Sequence, residues 1–173
     1  MLTKARDLQA DQVFLDIEDS VAPSAKASAR QNIVEALNTG EWGSKVRVVR
    51  VNDCTTRWAF DDVAAIVRGA GPNLDCIMLP KVENVGHILW LSILLDQLEM
   101  SEGLEPGQIG IEAQIEGPEG LSNIDDIASA TPRIETLIFG PGDFMAAMQI
   151  PALTIASPRS GGHDPFDPDN GGR

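Results

Sequence analysis

Short apolar runs alternate with helix-length stretches along most of this chain, and that alternation restricts the architecture more than any other feature. Val13-Phe14-Leu15 precedes Pro23 to Leu37, a stretch with proline suited to a first helical turn and an end near Gly40. Val46 to Val51 is a β-branched run broken by Arg47 and Arg50, followed by a helical stretch from Trp58 to Arg68. Cys76 to Leu79 leads into a helix from Asn84 to about Met100, and Ile109 to Ile115 leads into the segment Pro118 to Ala130. Last, Thr136 to Phe139 runs into Gly140-Pro-Gly-Asp143-Phe. Five strands separated by helices predict an α/β fold of repeated βα units, joined by right-handed crossovers into a parallel sheet. The first unit follows a helix, Leu2 to Leu8, with no strand before it. Ser157 to Arg173 holds four glycines and three prolines and no Ile, Leu or Val, so it is expected to be irregular or disordered. The division expected is one α/β unit over residues 1–156 and a tail over 157–173.

Composition narrows the function. The chain has 173 residues, short for a closed (β/α)₈ barrel of about 250. A formal net charge of −13 makes it a poor general partner for nucleic acid or anionic lipid, which need a surplus of Lys and Arg. One anionic ligand can still be held in a local basic pocket. Two cysteines, Cys54 and Cys76, rule out a disulfide scaffold and a four-cysteine zinc site. The longest apolar stretch, Ile88 to Leu95, contains Ser92 and stops at Asp96, far short of a membrane span. Met1 opens a polar segment carrying Lys4, Arg6 and Asp7 rather than a signal peptide, so a cytoplasmic protein is expected.

Ligands in parallel α/β folds bind at the carboxyl ends of the strands, and here every such end is polar. The strands close in Asp16-Ile-Glu18-Asp19, Arg50-Val-Asn52-Asp53, Pro80-Lys81-Val-Glu83, Gln114-Ile-Glu116 and Gly142-Asp143. Glu116 and Asp143 end consecutive strands; if those pair, their backbones lie about 4.8 Å apart and two carboxylates can converge on one cation. Mg²⁺ suits such a pair, since it takes oxygen ligands and keeps several waters. The plainer alternative is that each carboxylate caps the helix that follows it.

Asp16, Glu18 and Asp19 repel one another unless a cation or an arginine offsets them; alternatively Asp19 or Ser20 caps the Pro23 helix while Asp16 sits paired against the core. Arg50, in an otherwise apolar strand, is either a clamp for a carboxylate or enolate oxygen or a structural ion pair to the acidic cluster. Lys26 and Arg30 share a helix face and either grip phosphate or form a solvated face. Cys54 has no histidine in a dyad context, and Ile88, Leu91, Leu94, Leu95 and Leu98 read as core.

Phe14-Leu-Asp-Ile-Glu-Asp-Ser-Val-Ala-Pro23, Val49-Arg-Val-Asn52, Ile77-Met-Leu-Pro-Lys-Val-Glu83, Gln114-Ile-Glu116 and Phe139-Gly-Pro-Gly-Asp143 occur in this order. The set resembles the HpcH/HpaI aldolase and citrate lyase β-subunit superfamily over about Met1 to Thr154, most of all its CoA-ester lyases. The resemblance implies a TIM barrel with Mg²⁺, or Mn²⁺ in its place, held by Glu116 and Asp143. It implies that Arg50 meets the substrate carboxylate and that Glu18 and Asp19 hold metal-bound waters. Lys26 and Arg30 match a basic pair near the phosphates of coenzyme A.

Family strands two to six are present by this reading, and one, seven and eight are missing. The implied reaction is retro-Claisen cleavage of malyl-, citramalyl- or citryl-CoA into an acyl-CoA and a 2-oxo acid, in an enzyme forming trimers or hexamers. A CoA-independent aldolase acting on pyruvate and an aldehyde, and a non-catalytic interaction protein, are the alternatives. An isolated five-strand arc has two unpaired edges and an uncovered interior, so it is expected to carry the metal-binding half-site with little turnover.

Overall fold

The computed structural model describes residues 2–150; the expected tail over 157–173 lies outside the described residues, as does the domain boundary at 156. Five parallel strands, β1 (Gln12–Asp16), β2 (Val46–Arg50), β3 (Cys76–Leu79), β4 (Gly110–Ile115) and β5 (Ile134–Phe139), lie side by side in chain order. An order with no reversal is that of a barrel wall, not of a doubly wound sheet. The helices are α1 (Leu2–Asp7), α2 (Lys26–Thr39), α3 (Ala59–Ala70), α4 (Val85–Glu102), α5 (Pro118–Ser122), α6 (Ile124–Ala128) and α7 (Pro141–Ala147).

Local chemistry sets the element ends. Helix α3 opens with Asp61 and Asp62 in its first turn and carries Arg68 in its last, matching the helix dipole. Helix α4 stops at Gly103, whose φ of 68° is the left-handed cap that glycine adopts without penalty. The segment expected as one stretch from Pro118 to Ala130 is two short helices broken at Asn123. That side chain donates 2.9 Å to Glu83 O, tying the break to the β3–α4 turn.

The main core lies between the sheet and its helices. Val13, Leu15, Val49, Ile77 and Ile111 pack outward against Ile33, Val63, Ile66, Leu91 and Leu95, and the stripe expected on α4 is buried there. Where β5 begins, Arg133 pins the sheet to α4: its guanidinium donates to Glu99, Asp96 and the Ile109 carbonyl.

The concave face has its own small core of Val48, Cys76 and Met78, with Ile138 against it. Curvature accounts for this: Gln12 on β1 reaches Glu112 on β4 across the concavity, Nε2 to Oε2 at 3.2 Å. The expectation of an uncovered interior therefore fails at the centre and holds at the flanks, where Phe14 on β1 is 52% exposed and Phe139 on β5 is 56% exposed.

Candidate functional site

The polar strand ends form one rim because the backbone ladder continues past the strands. Ile17 N–H donates to Arg50 O at 2.9 Å, Val51 N–H to Met78 O at 3.2 Å, Val82 N–H to Gln114 O at 3.0 Å, and Gly140 N–H to Ile115 O at 2.9 Å. These bonds hold the loop residues in register, so the side chains that follow each strand share one mouth.

Two cavities open there. One, of about 330 Å³, is lined by Asp53, Lys81, Glu83, Glu116, Gly117, Pro118, Glu119, Asp143 and Ala147. The other, of about 300 Å³, includes Glu18, Asp19, Pro23, Lys26, Asn52, Trp58 and Lys81 in its wall. Asp53 and Lys81 belong to both, so the two are halves of one cleft.

Glu116 and Asp143 share the first cavity. Neither acts as a helix cap: α5 and α7 begin at Gly117 and Gly140 with no side-chain capping bond. Each oxygen of Glu116 is held by a neutral donor, Oε2 by the Lys81 N–H at 3.2 Å and Oε1 by Gln114 Nε2. Burial pushes the Glu116 carboxyl up to about 7, the negative charges of Asp143 and Glu18 push the same way, and Lys81 offsets them only in part. Room for this side chain depends on Gly140, where a Cβ would come within 2.4 Å of Glu116 Cγ.

The acidic cluster after β1 is met by two cations. Arg50 lies opposite Asp16 in the β1–β2 register and grips it with Nε at 2.8 Å and Nη2 at 2.7 Å. Its Nη1 faces Glu18 at 3.4 Å. Burial alone would raise Asp16, but the bonds from Arg50 and the Glu18 N–H win and hold it at about 2. The bonds to Asp16 hold the Arg50 guanidinium more firmly charged than usual, against its burial. Neither Asp19 nor Ser20 caps the helix after Pro23: that turn starts at Ala22 with no side-chain cap.

Glu18 and Asp19 instead meet Lys81, whose Nζ donates to Glu18 Oε1 and, at 3.2 Å, to Asp19 Oδ2. Burial opposes the charge of Lys81, and these two carboxylates more than restore it.

Lys26 and Arg30 do not present a joint basic face. Lys26 is buried, with Nζ on the carbonyls of Ile17 at 2.9 Å and Glu18 at 3.1 Å, and 5.2 Å from the Trp58 ring centre. Arg30 Nε donates 2.6 Å to Asp62, a fully buried carboxylate that also receives the N–H and Nδ2 of Asn52. The expectation of a paired phosphate grip is corrected to this extent: Lys26 reaches the wall of the cleft, whereas Arg30 is drawn to α3 by a carboxylate that would otherwise be buried uncompensated. Cys54 is inert as a nucleophile, its thiol raised to about 12 by burial and by Asp53.

Sequence reasoning singled out neither Lys81 nor Gln114. The signal for Gln114 was the alternation on β4 that puts it on the face of Glu116, two residues on. Lys81 stands at the polar end of β3, but nothing local indicates its partners, which lie more than sixty positions away. The described residues contain no group of three or more His, Cys, Asp or Glu side chains placed to hold a metal, so a cation here rests on the Glu116–Asp143 pair and water. No helix among the described residues is long and apolar enough to cross a membrane.

An L-malyl-CoA/β-methylmalyl-CoA lyase of Cereibacter sphaeroides is 40% identical over 139 residues, covering 80% of this chain and 43% of that protein. A malyl-CoA/β-methylmalyl-CoA/citramalyl-CoA lyase of Chloroflexus aurantiacus is 34% identical over 158 residues, 91% of this chain and 44% of the relative. The chain thus spans less than half the length of these curated relatives. A Haloferax volcanii malate synthase, solved as a magnesium/glyoxylate complex, superposes with a TM-score of 0.76 at 22% identity, over 86% of this chain and 49% of that one. At that identity the likeness shows the fold, a partial (β/α)₈ barrel. The HpcH/HpaI aldolase/citrate lyase family description matches residues 1–153, most of the chain, and the chain belongs to that family.

Proposed function

We propose that this chain supplies the metal-binding rim of a carbon–carbon lyase that cleaves a 3-hydroxyacyl-CoA, such as malyl-, citramalyl- or citryl-CoA, into an acyl-CoA and a 2-oxo acid. The observation that carries the reading is the joint cavity of Glu116 and Asp143, two acids from adjacent βα units facing one space with no cation of the protein paired to either among the described residues. The donor set fits Mg²⁺, with Mn²⁺ as the alternative: two carboxylates, room for water, and no soft ligands. Bound there, the ion would act as a Lewis acid toward the substrate oxygens.

The protein's own residues divide the remaining work. Glu116, fixed by Gln114 and the Lys81 N–H, presents a pre-oriented carboxylate. Arg50, braced by Asp16 through two of its nitrogens, has Nη1 3.4 Å from Glu18, a loose contact that the substrate carboxylate, or the negative charge that develops on cleavage, would replace. Glu18 and Asp19 line the neighbouring half of the cleft, where they would hold metal-bound water.

In the reaction the hydroxyl gives up its proton and its oxygen becomes the carbonyl of the 2-oxo acid. The broken carbon–carbon bond leaves its electron pair as a thioester enolate, which is then protonated on carbon. The cavity lined by Lys26 and Trp58 is the place for coenzyme A; Lys26 and Arg30 would meet its phosphates only by giving up their present bonds. We place the enzyme in the cytoplasm as a homo-oligomer. The two unpaired thiols fit that compartment.

Titration of the purified chain with Mg²⁺ by calorimetry, followed by incubation with malyl-CoA and detection of acetyl-CoA and glyoxylate, tests the reading. Saturable binding that Glu116→Ala abolishes is expected. Absence of saturable binding by the unaltered chain would sink the proposal, and product without a CoA thioester would move it to the aldolase branch.

A further inference from the structure

Lys81 has an unusual backbone for a residue that carries a side chain. Its φ is 54°, and Gln149 is the other non-glycine residue with a positive φ among those described. That left-handed conformation strains a residue with a Cβ and costs glycine far less. Lysine held there has to be compensated by what it does.

Three hydrogen bonds made by the one residue supply the compensation. The turn after Pro80 aims the Lys81 N–H at Glu116 Oε2, 3.2 Å away, while its ammonium reaches back to Glu18 and Asp19. The peptide group thus orients one wall of the cleft and the side chain gathers the other. Arg50 is spent on Asp16, Lys26 on two carbonyls and Arg30 on Asp62, so Lys81 is the cation placed on the wall that both cavities share.

Resting on the metal-binding reading above, we propose that Lys81 is a positioning residue and the determinant of how strongly the rim attracts a divalent cation. Its ammonium is bonded to Glu18 and Asp19 and lines the cavity of Glu116 and Asp143, a resident positive charge that offsets the crowded acids before an ion arrives and limits the affinity once it does. Its backbone role needs no side chain, so the two parts separate by substitution.

The experiment is Mg²⁺ calorimetry at low ionic strength, with thermal unfolding in parallel, on the unaltered chain and on Lys81→Met, Lys81→Arg and Lys81→Gly. A unit charge several ångström from a divalent ion near a solvated surface changes affinity by about fivefold. Lys81→Met and Lys81→Gly are therefore expected to bind Mg²⁺ about fivefold more tightly, a gain that added salt removes. Lys81→Arg, which restores the charge, should stay near the unaltered affinity. Lys81→Gly should unfold at a higher temperature than Lys81→Met, because glycine relieves the backbone. Unaltered or weaker Mg²⁺ binding by both uncharged variants, in a chain that itself binds the ion, would overturn this inference and leave the metal site standing. Failure of the unaltered chain to bind Mg²⁺ would overturn both.

Discussion

Replacing Gly140 with alanine tests whether the geometry around Glu116 is built or incidental. Gly140 has φ −97° and ψ 85°, an allowed backbone for alanine, so the substitution adds no conformational strain. It adds one methyl group at a place already filled: the new Cβ would lie 2.4 Å from Glu116 Cγ, 2.6 Å from Oε1 and 2.9 Å from Cδ. Ordinary contact begins near 3.4 Å, so the carboxylate must retreat by about 1 Å. It cannot do so freely, because Oε1 is held by Gln114 and Oε2 by the Lys81 N–H. Overpacking of this kind costs about 1–3 kcal/mol, with about 1 kcal/mol more for each hydrogen bond given up. Mg²⁺ tolerates displacement of a ligand poorly, so its affinity should fall by about tenfold or more. Chemical denaturation with and without Mg²⁺, together with calorimetry, measures both effects. An alanine variant as stable as the parent and equal to it in Mg²⁺ affinity would falsify the role assigned to this carboxylate and its cradle.

Three further outcomes follow from the same coordinates. Glu116→Gln should lose about 100-fold in Mg²⁺ affinity while unfolding no earlier than the parent in chelator, since it removes a buried charge facing Asp143 and Glu18; early unfolding would make Glu116 a structural residue. Asp16, lowered from 3.8 to about 2 in the fold, contributes about 2 kcal/mol of stability that is present above pH 3.8 and lost as pH falls through 2. Asp16→Asn should therefore be less stable by that amount at pH 6, with the difference shrinking as pH falls through 2 and gone by about pH 1, in denaturation at each pH. Arg133→Met strips Glu99 of its guanidinium partner in the interior and should cost about 3–5 kcal/mol by urea titration, a loss under 1 kcal/mol being the contrary result.

Much of this molecule was legible before any coordinates. The alternation of apolar runs places all five strands within a few residues of their observed bounds, because each strand needs an apolar face toward the covering helices and each covering helix an apolar stripe to meet it. The polar residues closing those strands had to collect at one mouth, since parallel strands in sequential order end on the same side. Glu116 and Asp143 were readable as a pair on that ground alone.

Other features depended on distances that chain order does not encode. Arg30 looked like a partner for phosphate beside Lys26, and it is Asp62, 32 residues further on, that takes it. Lys81 was readable as a rim residue but not by its partners: the curvature of the sheet brings Glu18 and Asp19 across to it. The concave face looked uncovered until its bending packed Val48, Cys76 and Met78 together. By itself the sequence determined which runs form strands and which helices, that the strands are parallel, and which acids stand at their ends. Only the tertiary structure decided which charge neutralises which, because side-chain pairing depends on reach and burial across elements, and periodicity along one element carries no information about either.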